Sequence, residues 1–313
     1  INRKGDNVIA VKVDNSDQPN SRWYSGCGIY RHVWLTKAQK MAYIPQWGQY
    51  VSTTPQGDVK VKVDYLAHGS KMKLSIRNTV YDADGKVVAK SLGNKVQQLK
   101  VKNPQLWDIA KGYLYTVKSE LVVNGKVMDT ATTTTGFREV KFDTQKGFFL
   151  NGRNIKINGV CEHHDFGCLG AAVNEDAMHR KLTILRDMGV NAIRSSHNPP
   201  APELLNMCDS MGILVMDESF DMWRRKKSNG DYARFFDEWH KRDLSDLIKR
   251  DRNHPSIIMW SIGNEVLEQW SDAAADTLSL EQANLILNAG HDASTLAHSD
   301  ELSVNSLLTQ HLA

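Results

Sequence analysis

Ser256-Ile-Ile-Met-Trp-Ser-Ile-Gly-Asn-Glu265 is the stretch that decides how this chain folds. Ile257, Ile258, Met259 and Trp260 form an unbroken apolar run, the pattern of a strand buried on both faces in a parallel sheet. The run ends in Gly263-Asn264-Glu265, which brings an amide and a carboxylate together where strand gives way to loop. In a parallel barrel, catalytic groups sit at the C-terminal ends of the strands. A core strand followed by a solvated Glu fits these ten residues as well, so the surrounding sequence has to decide.

Working back from this strand, the pattern alternates strand and helix. Asn154 to Val160, Asn191 to Ser196 and Ile213 to Glu218 read as strands. Between them lie amphipathic helices over Glu175 to Met188, closed by Gly189, and Ala201 to Met211, closed by Gly212. A third helix spans Phe235 to Arg252. Four β units with intervening helices imply a parallel α/β architecture. Polar residues collect where the strands end: His163, His164 and Asp165 after the first, Arg194 and His197 at the second. Asp217 and Glu218 end the third, and Asn264 and Glu265 follow the fourth. Any one of these could be a cap or a surface ion pair. Together, at the same end of four strands, they have the distribution of a barrel active site. A metal reading of His163, His164, Asp165 and His197 is disfavoured, because adjacent strand-end histidines point apart and no HExxH spacing is present.

Further towards the N-terminus the period changes to two. Asn7 to Asp14 alternates apolar and polar residues as a half-buried strand does, and Ile29 to Leu35 has strand character after the bend at Gly26 and Gly28. From Tyr43 to Phe137 short strand patterns recur, among them Val59 to Tyr65, Lys71 to Tyr81, Val96 to Val101 and Gly112 to Val123. Asn124-Gly125 then marks a hairpin into Lys126 to Thr135. This spacing predicts an immunoglobulin-like sandwich without the Cys-Trp-Cys core. The first ~40 residues cannot close a core of their own, so they are expected to be the tail of a larger β-sandwich.

Composition excludes several function classes. Among 313 residues, a net charge of +3 with interspersed signs gives no nucleic-acid surface, and the basic run Arg224-Arg225-Lys226-Lys227 reads as a solvated loop. Cys27, Cys161, Cys168 and Cys208 have no metal-ligand spacing; Cys161 and Cys168 could pair, but free core thiols are the preferred reading. No apolar stretch is long enough to span a membrane. The opening residues do not read as a signal peptide, which a removed leader or a missing N-terminal portion would also explain.

Several motifs resemble those of the family 2 glycoside hydrolases, the β-galactosidase, β-glucuronidase and β-mannosidase group. Arg22-Trp23-Tyr24-Ser25-Gly26-Cys27-Gly28-Ile29-Tyr30-Arg31 is similar to the end of the family's sugar-binding jelly roll. Pro104-Gln-Leu-Trp107 with Tyr113-Leu-Tyr115 is similar to the end of its immunoglobulin-like domain, and Phe148-Phe-Leu-Asn-Gly152 to the start of its barrel. Arg194-Ser-Ser-His197-Asn-Pro199, Asn253-His-Pro255-Ser and Trp260-Ser-Ile-Gly-Asn-Glu265 are the most specific matches, and the surroundings of Cys161 to Asp165 lean towards the β-galactosidase branch. The resemblance implies a multidomain β plus α/β fold: residues 1–38 ending a jelly roll, 39–140 an immunoglobulin-like β-sandwich, and 141–313 the first half of a (β/α)8 TIM barrel with about four β/α units.

By the same resemblance, Glu265 is the general acid/base of a retaining double displacement on terminal β-D-galactose residues. Asn264 would bind the sugar 2-hydroxyl, and Asp165, His197 and His163 other hydroxyls. Arg194 would lie beneath the site near the nucleophile, with Glu218 and Asp217 in its floor. The family's nucleophile lies on a later strand, so it is expected beyond residue 313 and the chain alone is expected to be inactive. Leu278 onward reads as mostly helical, and Glu218 is the best in-chain substitute for the nucleophile. Asp221-Met222-Trp223-Arg224 lacks the Glu and His that the magnesium-dependent β-galactosidases carry there, so no metal and no cofactor is expected. The implied partner is a β-linked oligosaccharide or glycoside, with no nucleic acid and no membrane insertion. A homo-oligomer stays open, and a periplasmic or extracellular address is suggested by exported relatives. Two alternatives remain: β-glucuronidase or β-mannosidase activity, and a non-catalytic carbohydrate-binding role.

Overall fold

The structure is a computed structural model that describes residues 2, 4–69 and 72–266. Residues 42–135 form an antiparallel sandwich. Its strands are β1 (Ala42–Tyr43), β2 (Gln49–Thr53), β3 (Asp58–Val63), β4 (Leu66–Ala67), β5 (Leu74–Tyr81), β6 (Val87–Gly93), β7 (Val96–Lys100), β8 (Tyr115–Val123) and β9 (Lys126–Thr135). One sheet runs β2-β3-β7 and the other β6-β5-β8-β9, with β1 and β4 paired beside them. In β3 the alternation is complete: Val59, Val61 and Val63 are buried while Asp58, Lys60 and Lys62 face solvent. Each buried valine contributes about 1.5 kcal/mol or more through area removed from water. Asn124 and Gly125 both take positive φ, as a two-residue hairpin loop requires, and β8 pairs directly with β9. The alternation did not single out β2 and β6.

The linker sheet β10 (Val140–Asp143), β11 (Gly147–Leu150) and β12 (Arg153–Asn154) leads to four parallel strands in the order β13-β14-β15-β16. These are β13 (Gly159–Glu162), β14 (Ala192–Ser195), β15 (Leu214–Glu218) and β16 (Ile257–Ser261). They are separated by helices α1 (Glu175–Asp187), α2 (Pro202–Met211) and α3 (Ala233–Asp251). Asn174 caps α1 by accepting from the Ala177 amide, and Gly212 ends α2 in the left-handed conformation. Leu182, Leu205, Ile193, Ile213, Val215 and Ile257 fuse helices and strands into one core.

Four expectations are corrected. Residues 7–14 and 29–35 form no strand, because no partner strand lies beside them among the described residues; alternation alone provides no hydrogen bonds. The strand expected over 154–160 is split into β12 and β13, which pair with different sheets. β16 is not buried on both faces: Ile257 is buried, Ile258 and Met259 are half-buried, and Trp260 is 39% exposed, because β16 is the edge of the described sheet. All four cysteines are free, but only Cys208 is a core thiol. The helix expected from Leu278 onward lies outside the described residues.

Several motifs singled out in the sequence join the sandwich to the barrel. Trp107 is fully buried and its Nε1 donates to the Asp209 carbonyl at 2.8 Å. Asn253 accepts from the Val51 amide (2.9 Å) and donates to the Gln49 carbonyl (3.0 Å) on β2. The Arg138 guanidinium donates to the Ile257 carbonyl at the start of β16, and burial lowers its pKa to about 10 against the opposing charge of Asp209. Gly112 lies against α2 so closely that an added Cβ would stand 2.2 Å from the Asp209 and Ser210 carbonyl oxygens.

Candidate active site

The strand ends converge on Glu218, which ends β15 and is fully buried. A carboxylate is tolerated there only if its oxygens are satisfied. Arg194, from β14, donates to Glu218 Oε2 through Nε (2.9 Å) and Nη2 (2.6 Å), and Ser261 of β16 donates to the same oxygen at 2.6 Å. His197 Nδ1 faces Oε1 at 2.7 Å. The Glu218 amide donates to Ser195 Oγ at 2.9 Å. Glu218 is therefore wholly committed to its neighbours.

From this hub the network reaches Asn264. Arg194 Nη2 also donates to Asn264 Oδ1 (2.8 Å), and Asn264 Nδ2 donates to Asp221 Oδ1 (2.8 Å). Asn264 is buried, whereas the next residue, Glu265, is exposed and has φ +42°. A left-handed conformation at a non-glycine residue costs about 1 kcal/mol or more, so neighbours must hold this corner in place.

His163 and His197 flank the aromatic ring of Trp23. The Trp23–His163 centroids are 5.0 Å apart and stacked, while Trp23–His197 are 5.3 Å apart and edge-on. Burial, reinforced by the neighbouring His197 ring, lowers the His163 pKa and so favours its neutral form. His164 stacks on Tyr30, and burial with the charge of Arg31 lowers its pKa too. Asp165 is half-buried on the loop after β13, near enough to favour the charged form of both histidines. It belongs to the histidine side of the site rather than to the Glu218 network. Asp217 faces away from these groups. Burial, reinforced by the charge of Asp251, pushes its carboxyl well above the usual carboxylate range.

The loop after β15 supplies groups the sequence reading missed. Lys227, expected in a solvated basic run, is 2% exposed and bonds to Asp221 and Asn264; its neighbours Arg224 and Lys226 are exposed as expected. Asp221 is also paired with Arg22 of the N-terminal segment at 3.0 Å. The only signal available was a lysine at the end of a charge run, which carries no information about a partner 37 residues away. Two cations, Arg22 and Lys227, thus converge on Asp221. Among the described residues no group of three or more His, Cys, Asp or Glu is placed to hold a metal ion. None of the described helices is long and apolar enough to cross a membrane.

A cavity of about 380 Å³ opens beside these groups, lined among others by Trp23, Trp47, His197, Asp221, Met222 and Tyr232. Of the groups described above, Trp23, His197 and Asp221 line this cavity, whereas Asn264, Glu265, His163 and Asp165 lie outside its lining; polar groups gathered at parallel strand ends are where a barrel enzyme acts.

Comparison with known proteins assigns the family. Residues 140–300 match the TIM barrel domain of glycosyl hydrolases family 2, and residues 43–138 match a second domain of glycosyl hydrolases family 2. The chain belongs to glycosyl hydrolase family 2. It is 58% identical to beta-galactosidase BoGH2A of Bacteroides ovatus, over 98% of this chain and 38% of that protein. It is 43% identical to a putative beta-glucuronidase of Formosa agariphila, over 83% of this chain and 26% of that protein. Among solved structures, a beta-glycosidase from Bacteroides vulgatus superposes with a TM-score of 0.77 at 37% identity, covering 87% of this chain and 35% of that one. The chain thus spans well under half the length of these relatives.

Proposed function

We propose that this chain carries the acid/base half of a retaining β-galactosidase site, with Glu265 as the general acid/base. The observation that carries the reading is the Asn264–Glu265 corner: an exposed carboxylate beside an amide held by Arg194 and Asp221, at the end of a barrel strand. Glu265 would protonate the glycosidic oxygen as it leaves, and in the second half-reaction would take a proton from the attacking water. Asn264 uses one N–H and one lone pair within the network, which leaves one of each for a sugar 2-hydroxyl. His163, His197 and Asp165 would receive other hydroxyls, with Trp23 as the apolar wall, and residues 1–38 as the end of the sugar-binding jelly roll.

Glu218 does not act as the nucleophile in this reading. Both its oxygens are engaged by Arg194, Ser261 and His197 and none of its surface is open. Its role is to hold Arg194 and His197, and the nucleophile is assigned to a later barrel strand outside the described residues. Galactose as the sugar is supported by the similarity to the Bacteroides ovatus protein; the similarity to the Formosa protein supports a glucuronide as the second reading. The test is turnover of a panel of aryl β-glycosides by the complete gene product. Galactoside hydrolysis with retention, lost in Glu265→Gln, is expected; no galactoside turnover would sink the leading reading.

A further inference from the structure

The acid/base carboxylate needs more than a strand end to hold it, because Glu265 sits in the left-handed region at φ +42°. Two side chains of the loop after β15 clamp the residues before it. Trp223 is fully buried and its Nε1 donates to the Ile262 carbonyl at 2.8 Å. Gly263 permits this contact, since a Cβ there would stand 2.8 Å from Trp223 Nε1 and 2.7 Å from Val266 Cγ1. One residue further on, Lys227 Nζ donates to the Asn264 carbonyl, to the Asp221 carbonyl (2.8 Å) and to Asp221 Oδ1 (3.1 Å). All three protons of the ammonium are used, and its side chain is fully buried. A buried lysine is costly unless satisfied in this way, and a loop that only had to close could place a neutral donor here.

We propose that Lys227 is a positioning residue for the acid/base carboxylate: its ammonium pins the backbone at Asn264 and so fixes where the next residue, Glu265, stands. This rests on the assignment of Glu265 made above. The charged groups that face Lys227 are Asp221, Arg22 from the N-terminal segment and Glu265 itself. The Asp231 carboxylate binds the Lys227 and Ser228 amides and so shapes the loop that presents the side chain.

The experiment measures kcat and KM of the complete gene product and its Lys227→Met and Lys227→Arg variants. The substrates are two aryl β-glycosides of one sugar: a dinitrophenyl glycoside, whose leaving group needs no proton, and a methoxyphenyl glycoside, whose leaving group does. Lys227→Met is expected to lose about tenfold or more in kcat/KM on the methoxyphenyl substrate and about threefold or less on the dinitrophenyl one. Lys227→Arg keeps the charge but cannot place three donors in the same way, and is expected still to lose preferentially on the methoxyphenyl substrate. If Lys227→Met does not fold, Lys227→Arg carries the test. A loss common to both substrates, or no loss, in the variant that folds overturns the proposal; failure of both variants to fold shows a residue of the fold alone and overturns it too. Glu265→Gln is run alongside. If it shows no dependence on the leaving group, the fault lies with the acid/base assignment rather than with Lys227.

Discussion

Removing the Arg194 side chain should damage the protein out of proportion to its surface. In Arg194→Met, Glu218 keeps its place at zero exposure but loses the two hydrogen bonds from the guanidinium, at 2.9 and 2.6 Å, and Asn264 loses a third at 2.8 Å. Breaking a buried ion pair from one side costs about 3–5 kcal/mol, because the remaining charge stays uncompensated. Ser261 and His197 still reach Glu218, and the Arg194 side chain is 27% exposed, so the lower end, about 3 kcal/mol, applies. Glu218→Gln weakens the same bonds without stranding a full charge and should cost about 2 kcal/mol. If the two residues act as one unit, the double variant should cost about 3 kcal/mol rather than the sum of about 5. The assay is urea unfolding of the complete gene product followed by tryptophan fluorescence, with all four proteins compared at the transition that reports the barrel. Additivity within about 0.5 kcal/mol would refute the reasoning, since it would mean that Glu218 does not depend on Arg194 for its burial.

Other outcomes follow from the contact between sandwich and barrel. Trp107→Phe removes the bond to the Asp209 carbonyl and should cost about 1–3 kcal/mol, and Trp107→Ala, which also opens a cavity, about 3–5 kcal/mol, read from urea midpoints. Gly112→Ala should be worse than Trp107→Phe in soluble yield and midpoint, because its Cβ would meet two carbonyl oxygens at 2.2 Å. Burial disfavours the charged form of His254, but the 2.6 Å bond to Asp209 and that carboxylate's charge outweigh it and raise the pKa. A raised histidine pKa stabilises the fold fully below about pH 6.5 and progressively less as pH rises through the folded-state value. His254→Gln should therefore flatten the loss of stability across that window. An unchanged slope would show that the pair is not ionic.

The parts of this structure that could be read from the sequence are those whose cause is local. The alternation in Asp58 to Val63, the Asn124-Gly125 hairpin and the Gly212 helix end each depend on neighbours a few residues away. Arg194, His197, Glu218 and Asn264 were legible as a set because parallel strands bring their ends to one side, and the structure joins them in one network. Asp165 and Glu265 lie at its margin. Lys227, Asp221 and Ser261 were not legible, because their partners are set by how one loop folds over the next strand. Residues 7–14 show the opposite failure. A strand needs a second strand, and alternation cannot say whether one is at hand.

β16 connects two things that are otherwise far apart. At its lower end the Ile257 carbonyl is held by Arg138, on the segment that leaves the sandwich after β9, and about 13 Å of strand further on the chain turns into the proposed catalytic corner. One short strand therefore spans from the Arg138 contact to a corner that Trp223 and Lys227 hold from the other side. The β-domain thus serves as a datum from which the height of the carboxylate is measured. A relative that exchanged its sandwich without the Arg138 contact would inherit the right chemistry at the wrong altitude.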